Sequence, residues 1–182
     1  LYVKDVMVLR LIQENLGRRP IYWALTAGTG NRMGLDRYIT QQGISFKLHP
    51  DTVGVGPDRV QGLFNSVMDV ERTRVLAWDV FRYARLFEAD TLVLDPTDDN
   101  IAGNLAFIFM SLGDAYRQQG DIARMVENYK KANHLSHDPR LQEFLQQLQA
   151  AGPALPGLEN PAADSAQQPA ARLVWPVLAK QF

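Results

Sequence analysis

The clearest pattern of apolar and polar positions covers residues 104–138. Apolar residues recur there at spacings of three and four, first as Leu105, Ile108, Phe109, Leu112 and Tyr116, then as Ile122, Met125, Val126, Tyr129, Ala132 and Leu135. Between the two runs, Gly120 suits a left-handed helix end and Asp121 suits a helix cap. The pattern predicts two amphipathic helices packed as a hairpin, with a close approach at Gly113 and a stop at Pro139.

The residue types of this hairpin resemble those of a tetratricopeptide repeat. The matching positions are Phe109, Leu112, Gly113, Tyr116, Gly120, Tyr129 and Ala132. Met125 departs from the pattern, which has a small residue there. Residues 140–150 carry Leu141, Phe144, Leu145 and Leu148 on one side and glutamines on the other. They predict one further helix that caps the hairpin.

The first 58 residues predict a small α/β layer. A helix is expected over residues 5–16, with Val6, Leu9, Ile12 and Leu16 on one face and Gly17 at its end. Residues 21–26 and 44–48 have the β-branched and aromatic content of strands. Residues 35–42 are predicted as a short helix between them, which favours a parallel pairing of the two strands.

The middle of the chain continues with helical patterns. Residues 51–58 are predicted as a turn-rich connector, residues 60–67 as a short helix, and residues 71–89 as a helix lying against the α/β layer. Asp95 stands where it can cap the first helix of the hairpin. The expected fold class is therefore α+β and mainly α: a small two-strand α/β layer at 1–58, a tetratricopeptide-like helical region at 59–151, and an extended C-terminal tail at 152–182.

The tail has two parts of different composition. Residues 152–171 are rich in proline and alanine, a composition that buries little surface. The last residues are apolar again and form a candidate anchor. The predicted partner-binding residues are Leu173, Val174, Trp175, Val177, Leu178 and Phe182. Two alternatives remain open from the sequence: the anchor binds a groove on a protein partner, or it folds back onto its own domain.

Composition excludes some classes of function. The chain has 182 residues, 46% of them hydrophobic, with a net charge of −1 and no cysteine. This charge gives no case for nucleic-acid binding, and the lack of cysteine removes disulfides and thiolate metal sites. No apolar run approaches the ~20 residues of a membrane span. The sequence begins without an initiator methionine or a secretory signal, so a fragment or a processed product is expected.

Candidate chemistry is sparse. The glycine-rich stretch 27–34 lies between a strand and a helix, where a nucleotide-binding fingerprint would lie, but a plain turn is favoured. Arg18, Arg19 and Arg32 could bracket it as an anion site, although an arginine at a helix end explains them better. His134 and His137 have the spacing of a metal pair, yet helix-end capping is favoured.

No catalytic group is predicted. The acidic cluster that begins at Asp95 lacks the glycine and closing glutamate of a calcium loop, and no serine lies in G-x-S-x-G. We therefore predict no catalytic, cofactor or metal site in this chain.

The two halves together resemble the soluble C-terminal region of bacterial multi-spanning membrane proteins related to GT-C protein O-mannosyltransferases. The resemblance covers about residues 4–136. It is carried by Asp5, Arg19-Pro20-Ile21-Tyr22, Gly34-Leu35, Tyr38, Gly43, Leu48 and Pro50. It implies a location on the outer side of the membrane and places the catalytic acids in a membrane domain that these residues do not include.

These observations lead to two function hypotheses. The favoured one is a non-catalytic periplasmic interaction module, an accessory or structural subunit held peripherally on a bacterial membrane protein complex, for instance a respiratory or photosynthetic one. The alternative is the acceptor-binding domain of a membrane glycosyltransferase whose active site lies upstream. A small nucleotide-binding protein using residues 27–34 is a third class. The expected partners are membrane-complex subunits, without nucleic acid and without a cofactor.

Overall fold

Two long helices form the centre of the computed structural model, which describes residues 2–62, 66–83, 86–88 and 93–151. Helix α3 covers Pro96–Gln119 and helix α4 covers Ile122–Ser136. The Asp95 carboxylate accepts the Thr97 and Asp98 N–H groups and so caps α3. Gly120 has a positive φ of 76° at the end of α3, and Asp121 caps α4. The predicted hairpin is confirmed, although its first helix begins well before residue 104.

The end of α4 differs from the prediction. The helix ends at Ser136, and the next residue, His137, adopts a left-handed conformation with φ 50°. Pro139 is the first residue of α5, Pro139–Ala151, and not the stop of α4. Proline suits this place because the first turn of a helix leaves its N–H groups unpaired. Leu141 and Leu145 of α5 are buried, so the predicted capping helix is confirmed.

Five short strands form one mixed sheet in the order β1-β3-β2-β5-β4. The strands are β1 Tyr22–Ala24, β2 Ile39–Gln42, β3 Ser45–Leu48, β4 Arg59–Gln61 and β5 Val67–Asp69. Strands β2 and β5 pair in parallel, and all other neighbours are antiparallel. Together with the helices, the sheet makes the fold class α+β and mainly α, as predicted.

The expected details of the sheet were partly wrong. The strands predicted at 21–26 and 44–48 are antiparallel neighbours, because the second half of the predicted helix 35–42 is strand β2. A tight turn at Gly43, with φ 61°, reverses the chain into β3. Only Leu35–Tyr38 is helical there, as one 3-10 turn.

The predicted helix at 60–67 was also wrong, because that region contributes β4 and β5 to the sheet. Short apolar runs do not distinguish a strand from a helix by periodicity alone. The predicted boundary at residue 58 therefore falls inside the sheet.

Helix α1, Val3–Asn15, agrees with the predicted N-terminal helix and is followed by Gly17 with a positive φ of 82°. The helix predicted at 71–89 is shorter. Helix α2 covers Val70–Val75, a π-helical turn follows at Leu76–Val80, and the backbone is extended at Phe81. The aromatic side chains beyond that turn pack onto the cluster that contains the long helices, where packing against the α/β layer was predicted; residues 84, 85 and 89 of the predicted helix lie outside the described residues.

The protein has two hydrophobic clusters, which lie on the same face of the sheet. The pairing register aligns Trp23, Phe46, Gln41, Met68 and Val60 in one row across the five strands. At the β1 end, Trp23 and Phe46 pack with α1 residues. At the β4 end, Met68 and Val60 pack with the long helices. Between them, the buried Gln41 side chain donates to Ser111 Oγ of α3 at 3.3 Å.

Candidate interaction surface

Helix α1 leaves most of its apolar side chains uncovered. Val3 is 79% exposed, Met7 62% and Leu11 60%, and no residue of the helix is buried. Tyr2, Val6 and Leu9 are also exposed. A helix that is apolar around most of its circumference is normally buried. We call these six residues the α1 surface; within the described residues, nothing covers it.

A groove runs between α1 and strand β1. Its volume is about 380 Å³, and it is lined by Val8, Leu11, Ile12, Asn15, Arg19, Pro20, Ile21, Tyr22 and Trp23. Strand β1 is an edge strand, so the outward backbone groups of the strand have no neighbour in the sheet. The α1 surface, this groove and the edge strand are therefore continuous.

The sequence pattern identified only part of this arrangement. Of the residues predicted to share the inner face of the helix, Ile12 and Leu16 do pack against the sheet cluster. Val6 and Leu9 are exposed instead. The signal that was missed is the distribution of apolar residues around the whole helix, which leaves little contrast between an inner and an outer face.

Charged residues border the α1 surface without covering it. Arg10 and Glu14 form an exposed ion pair at 3.1 Å. Lys4 Nζ donates to Asn31 Oδ1 at 3.4 Å, and Arg19 is exposed. Exposed pairs of this kind contribute little stability. They keep the helix in contact with water between its apolar side chains.

A second cleft, of mixed charge, lies where β4 and β5 meet α2. It has a volume of about 490 Å³ and is lined by Asp58, Arg59, Asp69, Glu71, Arg72 and Val75. Asp69 also caps α2 by accepting the Arg72 N–H at 2.9 Å. The pKa of Glu71 is lowered, chiefly by hydrogen bonding from Arg74. The cleft offers cationic and anionic groups to a polar ligand.

His49 directly follows strand β3. Its Nε2 is 2.8 Å from Thr40 Oγ1. The pKa of His49 is lowered by burial and, to a smaller extent, by the positive charges of Lys47 and Arg59. The neutral imidazole is therefore favoured in the folded protein.

The facing sides of the two hairpin helices pack against each other. At Gly113, a Cβ atom would lie 3.1 Å from Tyr129 Cζ and closer still to Cδ1 and Cε1, so the predicted close approach is confirmed. The Tyr129 hydroxyl donates to Asp114 Oδ1 at 2.6 Å. The pKa of Tyr129 is raised by burial and then by the Asp114 charge. The ring also meets Phe144 of α5 edge-on.

A lysine inside an aromatic cluster joins α4 to the segment after α2. Lys131 Nζ lies 4.6 Å from the ring centre of Trp78, 4.2 Å from that of Phe87 and 5.8 Å from that of Phe109. Trp78 Nε1 donates to Asn128 Oδ1 of α4 at 3.3 Å. These cation–π contacts stabilise the helical region internally.

The glycine-rich stretch 27–34 forms 3-10 turns at Leu25–Ala27 and Thr29–Arg32. Arg32 is almost fully buried, with its guanidinium 3.9 Å from the Phe46 ring centre and 3.3 Å from Asp36 Oδ1. The helical turn that follows is too short to present the helix N-terminus that a nucleotide fingerprint uses. Arg18 and Arg19 are exposed, so the three predicted arginines do not form one site.

The predicted histidine pair is not brought together as a site. His134 Nε2 is 2.8 Å from the Leu86 carbonyl oxygen, while His137 is exposed at the left-handed end of α4. Within the described residues, no group of three or more His, Asp or Glu is placed to hold a metal ion.

The predicted anchor residues of the tail lie outside the described residues. None of the described helices has both the length and the apolar content needed to cross a bilayer. No protein family, no curated protein and no solved structure matches this chain.

Proposed function

We propose that the protein is a non-catalytic interaction module that docks on a membrane protein complex through the α1 surface. The observation that carries this proposal is the helix whose apolar side chains project on most sides and which the described residues cover only along the sheet. Uncovered apolar patches of this kind mark interaction sites in soluble domains.

The way the helical region packs supports the choice of α1. Buried residues of α5 pack with those of α4 in one cluster, and α4 is also joined to the segment after α2 by Lys131. Within the described residues, the apolar sides on which α3, α4 and α5 meet are therefore used for internal packing. Among the described residues, the α1 surface and its groove form a continuous apolar area that these contacts leave open to a partner.

The location of the module is proposed from the sequence. The resemblance to C-terminal regions of multi-spanning membrane proteins favours the periplasmic side of a bacterial membrane. The membrane complex, for instance a respiratory or photosynthetic one, is the expected partner.

Co-purification from mild detergent extracts of the native membranes tests the proposal. We expect the tagged chain to bring integral membrane subunits with it, and the double substitution Val3→Glu/Met7→Glu to lose them. A matched variant, Val55→Glu/Val80→Glu, places the same charges at exposed apolar sites that are not part of α1. All four sites are exposed, so stability should change by less than ~0.5 kcal/mol per site. Equal recovery of membrane subunits with both variants would contradict docking through α1.

A second candidate function is favoured by the mixed-charge cleft. Its volume is in the range of small-molecule sites, and its arginines and carboxylates suit a hydroxyl-rich glycan or a polar acceptor peptide. The chain would then be the acceptor-binding domain of a membrane glycosyltransferase of the O-mannosyltransferase type.

The two candidates differ in two measurements. Intact mass of the native polypeptide would show whether it continues into membrane-spanning helices, as the transferase candidate requires. Titration of the ¹⁵N-labelled protein with a mannose oligosaccharide or a serine-rich peptide should then shift the signals of Arg59, Asp69 and Arg72. Unchanged signals at the cleft with both ligands would remove the second candidate.

A further inference from the structure

The groove between α1 and β1 has the lining of a site for a short apolar peptide. Its lining on the α1 side includes the aliphatic residues Val8, Leu11 and Ile12 together with Asn15, and on the β1 side it includes Arg19, Pro20 and the aromatic residues Tyr22 and Trp23. Tyr22 is 48% exposed. Grooves lined by aromatic rings bind proline-containing segments well, since proline brings little conformational entropy to lose.

The same chain contains a segment of matching chemistry. Residues 172–182 read RLVWPVLAKQF, with Pro176 between Trp175 and Val177. Apolar side chains make up most of this segment, and it has no acidic residue. An indole and a neighbouring aliphatic side chain fit the volume of about 380 Å³ that the groove offers.

The stretch between α5 and the apolar segment is long enough for a contact within one chain. Residues 152–172 separate α5 from the apolar segment. A stretch of this length can reach at most ~70 Å, whereas a domain of this size has a radius of gyration of about 15 Å. A tethered segment of this kind has an effective concentration of roughly millimolar near its own domain. Even a weak site for it would therefore be occupied in the absence of a competitor.

We propose that residues 173–182 occupy the groove between α1 and β1 in the free protein, and that a docking partner displaces them. This inference rests on the proposed function only in taking the α1 surface as the docking site. The segment thereby shields the groove until the partner competes for it.

Hydrogen exchange of the purified full chain tests occupancy. We compare the wild type with Trp175→Asp/Leu178→Asp, and with Gln167→Asp/Gln168→Asp as a matched change of charge in the proline-rich stretch. With millimolar effective concentration and a dissociation constant of ~0.1 mM, occupancy slows exchange about tenfold. The amides of residues 5–15 should therefore exchange about tenfold faster in the first variant and unchanged in the second. Equal exchange in all three proteins would overturn the inference.

Paramagnetic labelling tests proximity without disturbing the apolar residues. Because the chain has no cysteine, Gln181→Cys gives a single site for a spin label. The label should broaden the amide signals of Leu9, Ile12 and Tyr22, whereas a label at Gln167→Cys should broaden them much less. Equal broadening from both labels, or none from either, would contradict a bound segment.

A mixed sample separates a contact within one chain from a contact between two copies. Spin-labelled chain without isotope enrichment is added to unlabelled ¹⁵N-enriched chain. The α1 signals should stay sharp if the segment binds its own domain. Broadening in this sample would assign the groove to a second copy and would overturn the intramolecular proposal.

Failure of this inference and failure of the proposed function can be told apart. If the tail substitutions leave α1 exchange unchanged while Val3→Glu/Met7→Glu still loses the membrane subunits, only the occupancy by residues 173–182 is wrong. If the segment protects α1 but the α1 substitutions keep every membrane subunit, docking through α1 is wrong.

Discussion

Gly113 allows the closest approach between α3 and α4, and its replacement by alanine tests the central hairpin. The new methyl group would lie within 3.1 Å of Tyr129 Cζ and closer to two other ring atoms. The ring cannot move aside easily, because its hydroxyl is held by Asp114 at 2.6 Å and its edge is packed on Phe144.

Three contributions set the size of the effect. Overpacking costs about 1–3 kcal/mol, and weakening of the Tyr129–Asp114 hydrogen bond costs about 1 kcal/mol more. The higher helix propensity of alanine offsets about 1 kcal/mol of this. We expect Gly113→Ala to lower the free energy of unfolding by about 2 kcal/mol, which corresponds to a melting temperature about 6 °C lower.

Urea unfolding followed by circular dichroism measures the change, and α3 provides its own control. Gly103 is exposed in the same helix, and a Cβ there would meet no atom within 4 Å. Gly103→Ala should therefore raise stability by up to ~1 kcal/mol. If Gly113→Ala were as stabilising as Gly103→Ala, Tyr129 would not lie against Gly113 and the packing of the hairpin would be wrong.

Three further predictions concern other parts of the fold. Lys131→Met should lower stability by about 1 kcal/mol, because the cation–π contact with Trp78 is lost. Lys130→Met, at an exposed site of the same helix, should change stability by less than ~0.5 kcal/mol. Thermal unfolding of the two variants measures the difference. Asp121→Ala should cost about 1 kcal/mol in urea unfolding, because α4 loses its N-cap, and an unchanged midpoint would contradict this. The pKa of His49 is lowered in the folded protein, so the contribution of His49 to stability is present above pH 6.5 and is lost as the pH falls through the folded pKa. His49→Gln should therefore reduce the decline of the free energy of unfolding between pH 7.5 and 5. An equal decline in the two proteins would contradict the lowered pKa of His49.

The helical hairpin could be predicted because its local signals agree with its packing. Gly120 and Asp121 mark the break, and the apolar spacing of each half continues over several turns. Gly113 was expected to allow a close approach, and Tyr129 fills that position. An apolar spacing that repeats over several turns still predicts the helix when a single position departs from the pattern.

The sheet could not be predicted in the same way. Its strands are three or four residues long, which is too short for a period of two to stand out from a helical period. The parallel pairing of β2 with β5 depends on tertiary contacts, such as the hydrogen bond between Thr73 Oγ1 and the Gln41 carbonyl oxygen. No local signal in the sequence encodes that pairing.

The candidate site was missed for a different reason. Helix α1 was predicted correctly, but its apolar residues were assigned to an inner face that the structure gives mainly to Ile12 and Leu16. A sequence pattern shows which residues are apolar, and it does not show which of them another element covers. Exposure of Val3 and Met7 therefore emerges only once the sheet is in place.

Site-specific photo-crosslinking in the native host tests docking through α1 most directly. A photoreactive amino acid at Met7, which is exposed on the α1 surface, is compared with the same residue at Val55, which is exposed between β3 and β4. If α1 is the docking surface, position 7 forms a product with a subunit of a membrane complex and position 55 does not. A yield at position 7 no greater than at position 55 would contradict docking through α1.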